Sequence, residues 1–335
     1  MKQIRWGIVA TGGIAAKFAE ACSFESSRTG RSVLAAVASR DRKKAAEFAE
    51  KWHIGRHYGS YDELFADPAI DAVYIATPHS SHAALSIAAL EAGKAVLCEK
   101  PVSLNLAEFR PVVETAKRKN RFFMEAMWMK FNPSFRKALS WVSEGYIGDP
   151  KFVRADFFMD APFNPQSRLY DPALGGGALL DVGIYPVTCA LAVSGGKKPA
   201  FLNALMHTGS TGVDLYNKAH MVWENGLIAD LSSAISLQGI EELRSAAIIG
   251  ETGSILLPFF WMAQKAVLLD AQGNEVEIFD GAFACNGYEH EIREVEECLG
   301  EGKTESPVQT WADSIMVMEI LDDIRKVSKQ MNGGK

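Results

Sequence analysis

A lysine and a proline follow directly on an apolar segment near residue 100. The stretch AVLCEKPVSL places Glu99, Lys100 and Pro101 immediately after the apolar residues 95–98. Proline cannot continue a β ladder because it has no N–H group, so we expect a strand to end here. A lysine at this position belongs either to a surface turn or to a catalytic site in which its ammonium group assists a proton transfer.

The amino-terminal segment RWGIVATGGIAAKFAEA follows the pattern of a strand, a tight glycine turn and a helix. In a dinucleotide-binding turn of the form G-x-G-x-x-G/A, Gly12 would let the backbone approach a pyrophosphate and Ala15 would allow close helix packing. Ala10 stands where the first glycine is usual, so the match is imperfect. Alone, such a turn can be merely structural. The predicted phosphate-binding residues are Thr11, Gly12, Gly13 and Ile14.

The residues after the second predicted strand bear on the choice of cofactor. NAD-binding proteins often carry an acidic residue there, whereas this chain has Ser39 and Arg40 in the segment VASRDRKKA. An arginine can pair with a 2′-phosphate through two hydrogen bonds, which favours NADP, although NAD remains possible. Asp41 lies one position late for the ribose and could instead cap the following helix. The neighbouring lysines could equally be the solvated start of that helix.

Strands and helices alternate over the first third of the chain, which predicts a doubly wound parallel sheet. After about residue 125 the pattern changes to strand pairs joined by turns such as Asn225-Gly226, which predicts a mainly antiparallel sheet. We therefore expect an α/β protein with a Rossmann domain over residues 1–125 and an α+β domain over 126–335 that binds substrate and mediates oligomerisation. The last helix could pack back on the first domain.

Composition excludes several classes of protein. The 335 residues are 48% hydrophobic and 23% charged, with a formal net charge of −6 and no basic block, so nucleic acid is an unexpected partner. Asp181 and Pro186 interrupt the most apolar stretch, and the N-terminus lacks the apolar core of a signal peptide, so we expect no membrane association. Five scattered cysteines without a CxxC pair indicate free thiols and a cytoplasmic location.

Three segments together resemble one protein family: GIVATGGIA, ATPHSSHAALSIAALEAGKAVLCEKP and GGGALLDVGIYP. In order and spacing they are similar to the glucose–fructose oxidoreductase and inositol dehydrogenase (Gfo/Idh/MocA) family, and within it to the branch of dimeric dihydrodiol dehydrogenases and NADP-dependent D-xylose dehydrogenases. The resemblance runs from residue 4 to about 328. It implies a Rossmann domain followed by a domain with a large open sheet through which members often pair.

The resemblance also implies site residues. Lys100 of the Glu-Lys-Pro motif would be catalytic or orient the substrate, Glu99 would lie beside the cofactor, and the Lys100–Pro101 bond would be cis. Asp181 and Tyr185 would enter the site, with tyrosine where many relatives have histidine. An apolar wall for a diol or sugar would be formed by Trp128, Phe163 and Trp261.

Hydride transfer from an alcohol needs a group that takes the hydroxyl proton, and Tyr185 is the candidate. Because an ordinary tyrosine has a pKa of about 10, a nearby ammonium such as Lys100 would be needed to lower it. Asp181 could hold the lysine or a substrate hydroxyl, since residues four apart share a helical face, or it could cap the helix. A lone tyrosine in such a segment is more often a core residue.

The segment TPHSSHA follows another predicted strand, and loops at that edge of a sheet line ligands. Thr77, Pro78 and His79 are therefore predicted to contact the cofactor, whereas His82 is predicted to be structural. No acidic or cysteine partner accompanies the two histidines, so no metal site is predicted. Arg168 could meet a polar substrate group or pair with Asp171, and we leave it outside the catalytic set.

The chain is accordingly predicted to be an NADP-dependent dehydrogenase or reductase. It would move a hydride between nicotinamide and a hydroxyl or carbonyl carbon of a sugar, polyol or cyclic trans-dihydrodiol, and act as a homo-oligomer. The alternative is a non-catalytic NADP-binding sensor or partner-binding protein on the same fold.

Overall fold

The computed structural model describes residues 3–238 and 244–332. The chain divides into two compact units, which are described separately. The first contains the residues up to Phe131 together with Phe283–Ser314, and the second contains Asn132–Ala282 together with the residues from Ile315 onward.

In the first unit, strands and helices alternate as the hydrophobic pattern predicts. They are β1 (Ile4–Val9), α1 (Gly13–Thr29), β2 (Ser32–Ala38), α2 (Arg42–Lys51), β3 (His57–Tyr58), α3 (Tyr61–Ala66), β4 (Ala72–Ile75), α4 (His82–Glu91), β5 (Ala95–Glu99), α5 (Leu106–Lys119) and β6 (Phe123–Ala126). The strands form one sheet in the order β3-β2-β1-β4-β5-β6. All pairs are parallel. This is the doubly wound arrangement that the sequence predicts, with its switch point at β1.

The central strands are apolar on both faces because helices cover both sides of the sheet. Every residue of β4 and β5 is buried. Continuous burial of this kind is typical of parallel sheets and explains why these strands lack polar alternation. The carboxyl ends of all six parallel strands meet at one edge, which is where a polar site can form.

The second unit is built on a sheet of eight strands. These are β7 (Pro150–Phe158), β8 (Phe201–Thr208), β9 (Asp214–Val222), β10 (Ile228–Ala234), β11 (Ser245–Gly250), β12 (Gly253–Pro258), β13 (Lys265–Asp270) and β14 (Glu275–Asp280). Their order is β14-β13-β12-β11-β7-β10-β9-β8, and the pairs are antiparallel except β7 with β10. The predicted hairpin at Asn225-Gly226 joins β9 to β10, and Gly226 adopts a φ of 82°. The predicted fold class is therefore confirmed.

Two helices of this unit pack against the sheet. They are α6 (Pro133–Ser143) and α7 (Ile184–Val193). The segment Pro172–Val193 is long and apolar enough to cross a membrane by composition, yet 89% of its most apolar window is buried within the described structure. Its hydrophobicity is accounted for by its position in the core.

The last two helices are α8 (Glu289–Gly300) and α9 (Trp311–Asn332). Helix α8 lies against α1 in the first unit, where Arg293 on α8 bonds Glu25 on α1 at 2.6 Å and the Asn286 side chain before α8 bonds Glu20 at 2.9 Å. A division of the chain at residue 125 thus differs from the structure, in which residues 283–314 return to the first unit. The returning helix is α8, whereas α9 lies mostly in the second unit.

Candidate active site

The glycine turn after β1 has open space beside it. Gly12 precedes the first residue of α1, and a Cβ atom built on Gly12 or Gly13 would meet nothing within 4 Å. Protein packing therefore does not require glycine here, and the amides of the first turn of α1 are accessible to an anionic group. Thr11 and Ile14 flank these glycines and are half-buried. The turn fits the pyrophosphate of a dinucleotide.

Ala10 adopts a φ of 94°, a conformation that glycine favours and that strains an alanine. Its N–H group donates to the carbonyl of Ala38 at 2.9 Å, which ties the turn to the end of β2. The imperfect match at Ala10 in the sequence thus corresponds to a real glycine-type conformation, and the turn has the shape of the motif despite the missing glycine.

The end of β2 presents one buried hydroxyl and one exposed guanidinium. Ser39 is 9% exposed, and its Oγ accepts from the Asp41 N–H at 3.2 Å. Asp41 caps α2 by accepting from the N–H groups of Lys43 and Lys44, as the sequence allowed. Arg40 is exposed and lies near Tyr61; burial raises the pKa of Tyr61, and the Arg40 charge partly offsets this. An exposed arginine at this position suits a 2′-phosphate.

The loop after β4 is tied to the Glu-Lys-Pro segment by a buried histidine. The ring nitrogens of His82 lie 2.7 Å from the carbonyl oxygen of Thr77 and 2.8 Å from that of Pro101. Burial, followed by the charge of His79, lowers the pKa of His82 to about 4. A neutral imidazole donates through only one nitrogen, so one of these contacts lacks its proton in the neutral ring. His82 therefore has the structural position that the sequence predicts.

His79 is 6% exposed, and its ring centroid lies 5.8 Å from that of His82. Within the ranges that the structure describes, no group of three or more histidine, cysteine, aspartate or glutamate residues could hold a metal ion. Thr77 and Pro78 complete this loop, and the hydroxyl of Ser81 donates to that of Thr77 at 2.7 Å. The loop lies at the same edge of the sheet as the glycine turn because β4 pairs with β1.

The Glu-Lys-Pro segment leaves the end of β5 with support on both sides. Glu99 is 8% exposed and accepts from the Tyr74 hydroxyl and from the Lys100 N–H at 3.2 Å. The Lys100–Pro101 peptide bond is cis. The next amide, that of Val102, donates to Glu125 Oε1 at 3.1 Å. Lys100 itself is half-buried in a bend at the carboxyl edge of the sheet.

A carboxyl group that sequence reasoning missed lies behind this segment. Glu291 on α8 is fully buried, and neither side-chain oxygen has a hydrogen-bond partner among the described residues. Burial, followed by the charge of Glu99, raises the pKa of Glu291 well above its ordinary value. Its position in the sequence gives no signal, because glutamates recur throughout the segment EHEIREVEE.

In the second unit, Asp181 forms an ion pair that the sequence did not favour. Arg168 Nη1 donates to Asp181 Oδ1 at 2.7 Å, and Asp181 is 4% exposed. Asp171, which the sequence offered as one alternative partner of Arg168, instead caps the short helix Pro172–Leu174. Asp181 is also not a helix cap: it lies within the π-helical turn Leu179–Gly183 that leads into α7. Pro186 lacks the N–H group that would bond Val182, which accounts for the irregular turn.

Tyr185 is buried beside the ring of Phe157, which belongs to an aromatic group of the second unit. Its ring centroid is 5.6 Å from that of Phe157, which stacks on Trp261 at 3.6 Å. Phe163 does not join this group; it is 61% exposed and contacts Tyr170. Phe157 is thus the aromatic residue that the sequence reasoning missed, although the alternation in KFVRADFFMD already places it on the buried face. Trp128 lies in the first unit, stacked on Tyr288 at 5.1 Å.

The first unit therefore has the features of a dinucleotide-binding domain, and the second has a buried tyrosine and carboxylate beside an aromatic wall. Residues 4–127 match the family model described as an oxidoreductase family with an NAD-binding Rossmann fold, and residues 135–256 match the GFO/IDH/MocA C-terminal domain. The chain is 35% identical over 324 residues to a trans-1,2-dihydrobenzene-1,2-diol dehydrogenase from Xenopus laevis, with 95% of this chain and 96% of the relative covered.

Solved structures agree with this fold. An aldose-aldose oxidoreductase from Caulobacter crescentus superimposes with a TM-score of 0.88 at 22% identity, covering 98% of both chains. A 3-ketoreductase from Actinomadura kijaniata, in complex with NADP and TDP-benzene, does so with a TM-score of 0.85 at 25% identity, covering 97% of this chain and 98% of the other. The protein belongs to the Gfo/Idh/MocA family of oxidoreductases.

Proposed function

We propose that the protein is an NADP-dependent oxidoreductase acting on the CH–OH carbon of a sugar, polyol or cyclic trans-dihydrodiol. One observation carries this proposal: the glycine turn, Arg40, the His79 loop and Lys100 all lie at the carboxyl edge of one parallel sheet. Ligands of doubly wound sheets bind at that edge. The Xenopus relative is a dehydrogenase of such a diol and the Caulobacter neighbour an oxidoreductase of aldoses, which supports this substrate range.

The cofactor is proposed to bind through its pyrophosphate, its 2′-phosphate and its nicotinamide half. The turn residues Thr11, Gly12, Gly13 and Ile14 hold the phosphates, Ser39 and Arg40 hold the 2′-phosphate, and Thr77, Pro78, His79 and Glu99 lie along the nicotinamide half. A bound nicotinamide supplies the hydride chemistry, which no side chain can perform.

Tyr185 is proposed to take the hydroxyl proton during oxidation and to return it during reduction. In this proposal the ammonium group of Lys100 stabilises the phenolate of Tyr185. It thereby lowers the pKa of the tyrosine, as a base near neutral pH requires. Asp181 offers a carboxylate, held in place by Arg168, to a substrate hydroxyl. Trp128, Phe163 and Trp261 were predicted to line the substrate; of these, Trp261 has the strongest support because it belongs to the aromatic group beside Tyr185.

The preference for NADP is tested by Arg40→Ala. Loss of a charge-assisted hydrogen-bond pair is expected to weaken NADP binding by about 10- to 100-fold while leaving NAD binding within about threefold. Calorimetric titration of both cofactors measures this. Lys44→Ala serves as the control because its side chain belongs to the same exposed helix start. Equal NADP affinity in the wild type and the Arg40 variant would show that Arg40 does not select the cofactor.

The proposed reaction is tested by an activity screen. Purified protein is assayed for absorbance change with NADP⁺ and NADPH over aldoses, polyols, trans-dihydrodiols and the corresponding carbonyl compounds. Turnover of at least one member with either cofactor is expected. Tight NADPH binding without turnover of any member would instead favour a non-catalytic sensor.

We also propose a cytoplasmic homo-oligomer that pairs through the eight-stranded sheet. All five cysteines are unpaired thiols, four of them buried, in keeping with a reducing compartment. Exposed apolar residues of the sheet, among them Phe201, Ile228 and Ile249, support the oligomer.

A further inference from the structure

A cavity of about 480 Å³ opens in the second unit where β7 ends. It is lined by the apolar residues Phe157, Phe158, Met159 and Trp261 and by the polar residues Asp160, Gln238 and Arg244. The volume is within the range of small-molecule sites. A cavity lined by both aromatic and polar side chains is suited to a ligand that has an apolar ring face and polar edges.

The aromatic lining residues connect this cavity to Tyr185, the candidate proton donor. Phe157 and Trp261 stack with their planes 12° apart, and Phe157 also neighbours Tyr185, whose ring centroid lies 5.6 Å away. A ligand that reaches Tyr185 with one carbon could therefore extend along Phe157 into the cavity.

One polar lining residue, Arg244, has a donor group that lacks an acceptor among the described residues. The Nε atom of Arg244 is buried and has no hydrogen-bond partner among the described residues. Asp160 is the acidic residue among the described residues that line the cavity with Arg244. Buried polar groups without a partner are uncommon and often mark a place where a ligand or water completes the bond.

The combination of side chains defines the ligand chemistry. Guanidinium groups only donate, carboxylates only accept, and amides do both. A hydroxyl group can donate and accept, so adjacent hydroxyls can bond to all three side chains, whereas a bare hydrocarbon ring would leave the Arg244 Nε–H unpaired.

We propose that this cavity is a substrate subsite for hydroxyl groups away from the reacting carbon, with Arg244, Asp160 and Gln238 as specificity-determining residues. The inference rests on the proposed function. It deepens that function by selecting polyhydroxylated substrates, such as aldoses and cyclic polyols, over diols that carry only the reacting pair.

The test compares two probes, D-xylose and trans-1,2-cyclohexanediol, in the wild type, Arg244→Met and Asp160→Asn. Each variant is expected to lower kcat/KM for D-xylose by about 10- to 100-fold, mainly through KM, and to change that for the cyclohexanediol by less than about threefold. Arg136→Met, at an exposed position of α6, is the matched control and should change neither. Circular dichroism verifies that each variant is folded, and Asp160→Asn provides a second variant should Arg244→Met fail to fold.

Binding is measured independently of turnover by saturation-transfer NMR with the same two probes and NADPH. D-Xylose signals that weaken in both variants support the subsite. Equal losses for both probes, or no loss in either variant, would overturn it while leaving the proposed reaction intact. If the wild type turns over no substrate but D-xylose binds and depends on Arg244, the subsite stands and the proposed reaction fails. Absence of D-xylose binding to the wild type overturns the subsite.

Discussion

Lys100 and Tyr185 differ from their neighbours in that each is a polar group placed at the end or edge of a buried apolar element. Lys100→Met and Tyr185→Phe remove the ammonium and the phenol hydroxyl with little change of shape. We expect each to lower kcat by about 10²- to 10⁴-fold while NADP affinity changes little, because Tyr185→Phe removes the proton acceptor and Lys100→Met removes the ammonium group that stabilises its phenolate. Steady-state kinetics and calorimetric titration of NADP measure the two effects.

Tyr146→Phe is the control for this pair, because Tyr146 is 52% exposed outside the sheet. It should leave kcat unchanged. Turnover close to that of the wild type in either the Lys100 or the Tyr185 variant would refute the proposed proton transfer.

Glu291 makes a prediction about stability rather than turnover. Its pKa is raised from an ordinary value of 4.5 by burial and by the Glu99 charge, so the folded protein keeps a proton that the unfolded chain releases. The contribution of Glu291 to the free energy of unfolding is therefore full below that value and is lost as the pH rises through the raised pKa of the folded protein. Glu291→Gln cannot titrate at this position. As the pH rises, its free energy of unfolding should therefore increase relative to that of the wild type by up to about 1.4 kcal/mol per pH unit.

Urea unfolding between about pH 5 and about pH 8 measures this difference. Glu297→Gln, at an exposed position of the same helix, should show no such divergence. Parallel stability curves for Glu291→Gln and the wild type would mean that the Glu291 carboxyl is ionised in the folded protein.

At the scale of elements, the turn that leads to Asp181 depends on one glycine. Gly177 has a φ of 120°, and a Cβ there would lie 2.2 Å from Asp214 Oδ1. Asp214 in turn accepts from the Leu179 N–H at 2.7 Å and so holds the start of the π-helical turn. Gly177→Ala should lower the free energy of unfolding by roughly 2–4 kcal/mol through backbone strain and displacement of Asp214.

Gly195→Ala separates the two contributions, since Gly195 also has a positive φ, 73°, but open space at its Cβ. It should lose only about 1–2 kcal/mol. Thermal and urea unfolding of both variants provide the comparison, and equal losses would show that the contact with Asp214 has no effect of its own.

Local patterns predicted the elements that carry the cofactor candidates. The position of Lys100 followed from four apolar residues and a proline, and the glycine turn followed from its place after β1. Such features depend on neighbours in the chain, so the sequence displays them directly. The φ of Ala10 could also have been anticipated, since it occupies a glycine position of the motif.

Long-range packing decided the features that the sequence did not predict. Arg168 pairs with Asp181 across 13 residues of irregular chain, with no periodicity to favour it over Asp171. Helix α8 returns to the first unit through contacts such as Arg293 with Glu25, 268 residues apart. Phe157 and Phe163 are chemically identical, and only the sheet register puts the former beside Tyr185. These outcomes depend on which distant surfaces bury each other.

At the scale of the whole molecule, the outer face of the eight-stranded sheet carries an apolar row. Directly paired positions join Ile249 to Phe152, Phe152 to Ile228, Ile228 to Val222 and Val222 to Phe201 across five strands. Within this row, Ile249, Ile228 and Phe201 are 42%, 41% and 58% exposed. Contiguous exposed apolar surface of this kind supports the proposed pairing through the sheet.

Ile228 is the central residue of that row, so a charge there should break the proposed oligomer. Burying a lysine in an apolar interface without a partner costs several kcal/mol, which is expected to weaken self-association at least about 100-fold. Light scattering coupled to gel filtration should give about twice the single-chain mass of 36.6 kDa, or a higher multiple, for the wild type, and the single-chain mass for Ile228→Lys. Tyr146→Lys also adds a lysine at an exposed aromatic position but lies outside the sheet, so it should keep the wild-type mass.

A wild type that is monomeric at every concentration would exclude this interface, and an Ile228→Lys variant that retains the oligomer would place the interface elsewhere on the surface. If the variant is monomeric and still turns over substrate at the wild-type rate, the oligomer contributes to stability and not to the reaction. Such an outcome is expected, because every proposed site residue comes from the same chain and none lies in the apolar row.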